Sequence, residues 1–151
     1  MAPPASALSL IAAQLQIREL TAKYALFVDT SQVEPLVALF VEDGVFDETP
    51  CGLARYQGHA ELTTCYSQLF AAANGTLHLT ANHILDDLDG DEARGSCAAI
   101  IVGVIGGSEV LLTCRYDDVY VRTGGCWRFR SRTVTPYVPV DPIALASMSF
   151  D

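Results

Sequence analysis

Residues 93–138 read ARGSCAAIIVGVIGGSEVLLTCRYDDVYVRTGGCWRFRSRTVTPYV. Ala93 to Ile105 is a long β run that holds the longest apolar stretch of the chain, Cys97 to Ile105. Gly106-Gly107 follows as a two-residue hairpin signal, because glycine takes the positive φ angles of such turns at no steric cost. Val110 to Arg122, rich in Val, Leu and Tyr, is the returning strand. Gly124-Gly125 turns the chain into a last strand, Cys126 to Val138. Working backward, Leu77 to Asp86 is extended, and Asp89-Gly90-Asp91 makes the turn into Ala93. The second half is therefore four antiparallel strands.

The first half has a different period. From Ser6 to Val28, Leu8, Ile11, Leu15, Leu20, Tyr24 and Phe27 recur at three-to-four spacing, the mark of a helix face. Asp29-Thr30-Ser31 breaks it. Ser31 followed by Glu34 reads as a capping box, which starts a second helix running to about Val41 with Leu36, Leu39 and Phe40 on its buried face. Glu42-Asp43-Gly44 stops that helix, Val45 to Thr49 is a short strand, and Pro50 to Gly58 is loop. His59 to about Ala72 is a third helix, closed by Asn74-Gly75.

Helices followed by long strands make an α+β layout. A long antiparallel sheet must curl, and helices on its concave side leave a closed, mostly apolar pocket. The expected fold is three N-terminal helices packed on a strongly curved, mostly antiparallel sheet, a cone-shaped half-barrel with an internal pocket. No repeat or linker divides residues 1–151, so one domain is expected, with its core over 8–138 and a C-terminal tail over 139–151.

Composition narrows the function. Half of the 151 residues are hydrophobic and 18% are charged, enough for a real core. Nine basic residues face 18 acidic ones, and the net charge of −9 repels nucleic acid and anionic membrane surfaces alike. The N-terminus has no basic region before its apolar residues, and no run of apolar residues is long enough to span a bilayer, so a cytoplasmic protein is expected. Cys51, Cys65, Cys97, Cys114 and Cys126 are odd in number, widely spaced and without CxxC, which reads as reduced core cysteines. GxSxG, a P-loop, GxGxxG after a strand and HExxH are all missing, so no metal and no nucleotide cofactor is expected.

What remains is a few polar residues in an apolar frame. Asp29 ends the first helix, where the helix dipole disfavours a carboxylate by about 0.3–1 kcal/mol. A residue placed against its local preference points to another role. In Leu77-His78-Leu79-Thr80-Ala81-Asn82-His83, alternation puts His78, Thr80 and Asn82 on one face and His83 on the other. Asp29 beside His78 would hold its tautomer and raise its pKa, a dyad for proton transfer. Tyr24 supplies a ring for the core and a hydroxyl for a partner. Arg132 follows the Trp127, Phe129, Ser131 register by one residue, so it faces outward or pairs with a carboxylate. His59 is expected to be exposed.

Taken in order, these residues resemble a known family. Ile17-Arg18-Glu19-Leu20, Tyr24, Asp29, Leu36, Leu39-Phe40 and Asp43 resemble the opening of SnoaL-like domains of the nuclear transport factor 2-like superfamily. So do Tyr56-Gln57-Gly58, His78 with Asn82, Asp89-Gly90-Asp91-Glu92-Ala93, Arg115-Tyr116 with Asp118, and Gly125-Cys126-Trp127-Arg128-Phe129 with Arg132. The resemblance covers roughly residues 10–135. It implies a cone around a pocket, a homodimer or homotrimer, and chemistry without a cofactor. Relatives include scytalone dehydratase, bile-acid dehydratases, ketosteroid isomerases and polyketide cyclases. Tyr24, Asp29 and His78 match the tyrosine, aspartate and first histidine of the dehydratase-like branch. The second histidine of scytalone dehydratase has no counterpart in Cys97 to Ile105, and its second tyrosine gives way to Phe46 and Glu48, so the one-histidine arrangement of the bile-acid enzymes is closer.

The resulting expectation is a lyase or isomerase for a hydrophobic cyclic polyketide-, terpenoid- or steroid-like molecule with an acidified C–H beside a carbonyl. His78 takes the proton, Asp29 orients it, and Tyr24 holds the carbonyl or the leaving hydroxyl. Asn82, Phe46, Trp127 and Arg132 are expected to contact the substrate. The alternative is a binding or accessory domain of the same fold without catalysis.

Overall fold

In the computed structural model, which describes residues 6–138, the chain enters helix α1, Ala7–Asp29. The Ser6 hydroxyl accepts from the Ser9 N–H at 3.2 Å and satisfies a donor of the first turn. Ala13, Ile17, Leu20, Tyr24 and Val28 recur at helical spacing and are buried. The expected stripe is covered only in its second half: Leu20 and Tyr24 are buried, whereas Leu8, Ile11 and Leu15 are exposed. Two stripes of the same period run along this helix, and the sheet it meets selects one.

Ser31 does not cap a second helix. It has φ +55°, and the Gln32 N–H donates to the Phe27 carbonyl at 2.9 Å. That is the left-handed closure of a helix C-terminus, so Ser31 ends α1. Helix α2 is one short turn, Val33–Val37, begun at Gln32 without a side-chain cap. Leu36 is buried as expected, but Phe40 already belongs to strand β1, Phe40–Asp47. The Phe129 N–H donates to the Leu39 carbonyl at 2.8 Å, and the Phe40 and Phe129 rings pack 5.1 Å apart. This pairing outweighs any local preference to continue the helix.

A 3₁₀ turn, Thr49–Cys51, and a short strand β2, Arg55–Gln57, occupy the expected loop. Helix α3 spans Gly58–Ala72. Strands β3 (Ala73–Asp89), β4 (Glu92–Ile105), β5 (Ser108–Thr123) and β6 (Cys126–Pro136) follow the expected hairpins. The six strands form one sheet in the order β2-β1-β6-β5-β4-β3, antiparallel except where β1 meets β6. Three helices thus pack on an open, curled, mostly antiparallel sheet. The expected tail, 139–151, lies outside the described residues.

Bulges bend this sheet and reset its faces. On β3 the register slips between Ala81 and Ile84, with Asn82 at φ +53°. Opposite it, a Cβ at Gly95 would run into the Ile84 carbonyl, so only glycine lets the strands approach there. On β6, Tyr120 pairs with Phe129 but Val119 pairs with Ser131, leaving Arg130 as the extra residue. Trp127 and Phe129 face inward before the bulge; Arg132 and Val134 face inward after it.

The core centres on Tyr24, whose ring meets Tyr116 and Phe129 at 5.9 Å and Phe40 at 6.3 Å. Among the described residues no helix is long and apolar enough to cross a membrane.

Candidate active site

Asp29 is the last residue of α1, and β3 runs past it. Its Oδ2 accepts from the His78 backbone N–H at 2.9 Å, and its Oδ1 accepts from the Thr76 hydroxyl at 3.3 Å. The same Oδ1 lies 2.6 Å from Nδ1 of His78. The carboxylate so ties the helix end to the strand through charge-assisted bonds worth about 1.5–3 kcal/mol each. This use offsets the unfavourable helix-end position. The side chains of His78 and Asp29 are only 8% and 16% exposed.

With Nδ1 engaged by the carboxylate, the imidazole carries its hydrogen there, and Nε2 makes no hydrogen bond to the described residues. His78 lines a cavity of about 660 Å³, within the usual range for small-molecule sites. Burial pulls the His78 pKa below its ordinary value of 6.5. The bond and charge of Asp29 oppose that shift without reversing it, and Arg132 adds to it. The expected rise is therefore corrected: desolvation of the imidazolium outweighs one partly solvated carboxylate. A neutral imidazole with Nδ1 anchored leaves Nε2 as a proton acceptor.

The cavity walls are mostly apolar. Val28, Phe46, Leu69, Ile101, Leu112 and Val134 contribute, as do the phenols of Tyr24, Tyr66 and Tyr116. The Tyr66 hydroxyl donates to the Tyr24 oxygen at 3.3 Å. Burial raises the pKa of all three, so they are hydrogen-bond donors rather than phenolates. Burial also pushes Cys65 up to about 11 and Cys114 up to about 12, which keeps these thiols from acting as nucleophiles near neutrality. Thr76, which the sequence analysis did not name, lies on the same alternation as His78 and Thr80. Glu48 also lines the cavity, and burial, with Asp47 beside it, pushes its carboxyl up to about 7. The sequence marks Glu48 only through the resemblance, as standing with Phe46 where scytalone dehydratase has a second tyrosine.

Of the residues expected to contact a ligand, the structure brings Phe46 to the cavity with Tyr24 and His78. Asn82 is exposed, because the bulge turns it off the His78 face and turns His83 inward instead. His83 Nε2 meets the Tyr120 hydroxyl at 3.1 Å. His59, expected to be exposed, is partly buried with Nε2 3.1 Å from the Phe40 carbonyl. Trp127 lies in a separate cleft beside Leu20, Lys23 and Leu39. Arg132 is fully buried and does not line the cavity. It makes two bonds to Asp118, at 2.9 and 2.8 Å, taking the carboxylate-paired alternative. Its guanidinium sits 4.2 Å from the Tyr24 ring and 4.1 Å from the Tyr116 ring, so it supports the cavity floor from behind.

The fold and sequence have known counterparts. A candidate aromatic ring hydroxylase from Novosphingobium aromaticivorans is 28% identical, with a TM-score of 0.84 over 94% of this chain and 96% of that one. A candidate scytalone dehydratase from the same organism is 20% identical, with a TM-score of 0.76 over 92% of this chain and 97% of that one. The hexachlorocyclohexane dehydrochlorinase LinA type 2 is 21% identical, with a TM-score of 0.83 over 97% of each chain. No curated protein matches the sequence. Residues 9–133 match the SnoaL-like domain, and the chain belongs to that family, within the nuclear transport factor 2-like superfamily.

Proposed function

We propose that this protein is a cofactor-independent lyase or isomerase that uses His78 and Asp29 for acid–base chemistry on a hydrophobic cyclic molecule. Polyketide-, terpenoid- or steroid-like ketones are the substrate class, and dehydration, double-bond migration or ring closure is the reaction. The observation that carries the reading is the 2.6 Å contact of His78 Nδ1 with Asp29 at the edge of an apolar cavity. Nε2 takes a proton from carbon beside a carbonyl, and Asp29 stabilises the imidazolium that forms. The Tyr24 hydroxyl donates to the developing enolate, a contribution of the kind worth about 10²–10³ in kcat. The dehydratase and dehydrochlorinase among the structural neighbours support a lyase, since both names describe eliminations.

Association into a homodimer or homotrimer is part of this proposal. The face of β3 and β4 opposite His78 exposes Leu77, Leu79, Ile84 and Ile100, an apolar row that a second copy would cover.

The test is turnover of cyclic β-hydroxyketones and β,γ-enones, followed by absorbance of the conjugated product. Wild-type protein should form product and His78→Ala should not, with circular dichroism unchanged. Wild-type-like turnover by His78→Ala would leave a binding domain as the better reading.

A further inference from the structure

Glu48 is a polar side chain of the cavity that the His78–Asp29 pair does not use. It follows β1 directly, and its backbone is fixed by three hydrogen bonds. Its N–H donates to the Ala54 carbonyl at 3.0 Å, and its carbonyl accepts from Cys51 at 2.9 Å and Leu53 at 3.2 Å. Such anchoring fixes where the side chain leaves the backbone. The carboxyl has no hydrogen bond or ion pair among the described residues. The titratable groups that feel its charge are Asp47, Tyr24, Cys51, Tyr56, Cys65 and Cys114, none of them cationic.

The sheet order separates Glu48 from His78. β1 lies near one end of the sheet and β3 forms the other edge, with β6, β5 and β4 between them. Two residues so far apart in the sheet line one cavity because the sheet curls.

We propose that Glu48 is the general acid that protonates a departing hydroxyl group, which makes the substrate a β-hydroxy carbonyl compound and the reaction loss of water. This rests on the role proposed for His78. His78 Nε2 takes the proton from the α-carbon, and the electron pair forms the new carbon–carbon double bond. The β-carbon–oxygen bond breaks, and the Glu48 proton passes to the departing oxygen, which leaves as water. The protein is left with an imidazolium and a carboxylate, and transfer of one proton through solvent restores both.

The second group separates this reaction from its rivals. Double-bond migration needs one acid–base residue, because the imidazole can return the proton it took. A halide leaves without a proton. Hydroxide is a poor leaving group and departs as water once an acid protonates it, a task for which a second group spares the imidazolium. Burial lowers the His78 pKa and raises that of Glu48, which keeps the base neutral and the acid protonated together.

The experiment compares 3-hydroxycyclohexanone with 3-acetoxycyclohexanone, which give the same enone but differ in the need for a proton at the leaving oxygen. Wild-type protein should release cyclohexenone from both. Glu48→Gln should slow loss of water by about 10²–10⁴-fold and leave loss of acetate close to wild type. His78→Ala should lose both. Equal loss on both substrates, or no loss on either, in Glu48→Gln overturns the role of Glu48 while sparing His78. A wild-type protein that eliminates from neither, or an active His78→Ala, overturns the role of His78 and this inference with it.

Discussion

Oδ1 of Asp29 lies 2.6 Å from Nδ1 of His78, and Oδ2 of the same carboxylate accepts the His78 backbone N–H at 2.9 Å. One side chain at a helix end thus fixes the position, the ring orientation and the tautomer of one residue on the sheet. The proposed chemistry follows from that tautomer, because it decides which nitrogen meets the cavity.

Replacing Asp29 by Asn keeps the shape and removes the charge. An amide can donate to Nδ1, which would move the hydrogen to Nε2 and block proton abstraction. Asp29→Asn should lower kcat by about 10²–10⁴-fold with little change in KM. Steady-state kinetics beside circular dichroism checks this, and a loss confined to KM would contradict it.

The pH dependence has two limbs of known sign. The His78 pKa lies below 6.5, so kcat/KM should rise with pH through a value below 6.5 as Nε2 becomes free. Glu48 releases its proton at about 7, so loss of water should decline above that pH. Loss of acetate should stay level there. A profile for water loss with no alkaline limb near Glu48 would contradict the assignment.

Glu48 also affects stability. Its folded pKa, about 7, is above its ordinary 4.5, so the unfolded chain gives up the proton first. Stability therefore falls as pH rises from 4.5 to about 7, and the loss is complete above that window. Glu48→Gln removes this loss. Its Tm should exceed wild type at about pH 8, and the difference should shrink toward pH 4.5. Scanning calorimetry at the two pH values measures it, and a gain independent of pH would contradict the burial of the carboxyl.

Arg132 and Asp118 form a pair with both side chains fully buried. Arg132→Met leaves Asp118 buried without its partner and should destabilise the fold by about 3–5 kcal/mol in urea unfolding. Replacing both by apolar residues should cost less, since no charge is stranded. A loss under about 1 kcal/mol for the single variant would mean that water reaches Asp118.

The hairpins were legible because glycine pairs mark tight turns between apolar runs, and β4, β5 and β6 begin and end close to them. The third helix was legible between the loop ending at Gly58 and the Asn74-Gly75 stop, and Leu62, Cys65 and Tyr66 form its buried face. The second helix was not. Ser31 and Glu34 carry the letters of a cap, but the left-handed backbone at Ser31 is set by how α1 closes. Bulges account for the inward and outward errors. Alternation holds for His78 and fails at Asn82, where φ turns positive, and it fails again at Arg130, which sends Arg132 into the core. Tyr24, Asp29 and His78 were legible as a resemblance and by chemical type. Glu48 was named only as a departure from that resemblance, and its place in the cavity was not legible, because whether a lone acidic residue after a strand faces a cavity or solvent depends on the curl of the whole sheet.

In the proposed mechanism, dehydration, double-bond migration and ring closure all begin with removal of a proton from carbon by His78. Deuterium incorporation beside the carbonyl of an unsubstituted cyclic ketone in heavy water, read by NMR, reports that step without any leaving group. Wild-type protein should catalyse the exchange and His78→Ala should fall to the rate of buffer. Exchange by His78→Ala at the wild-type rate, or none by wild type above buffer, would contradict the account.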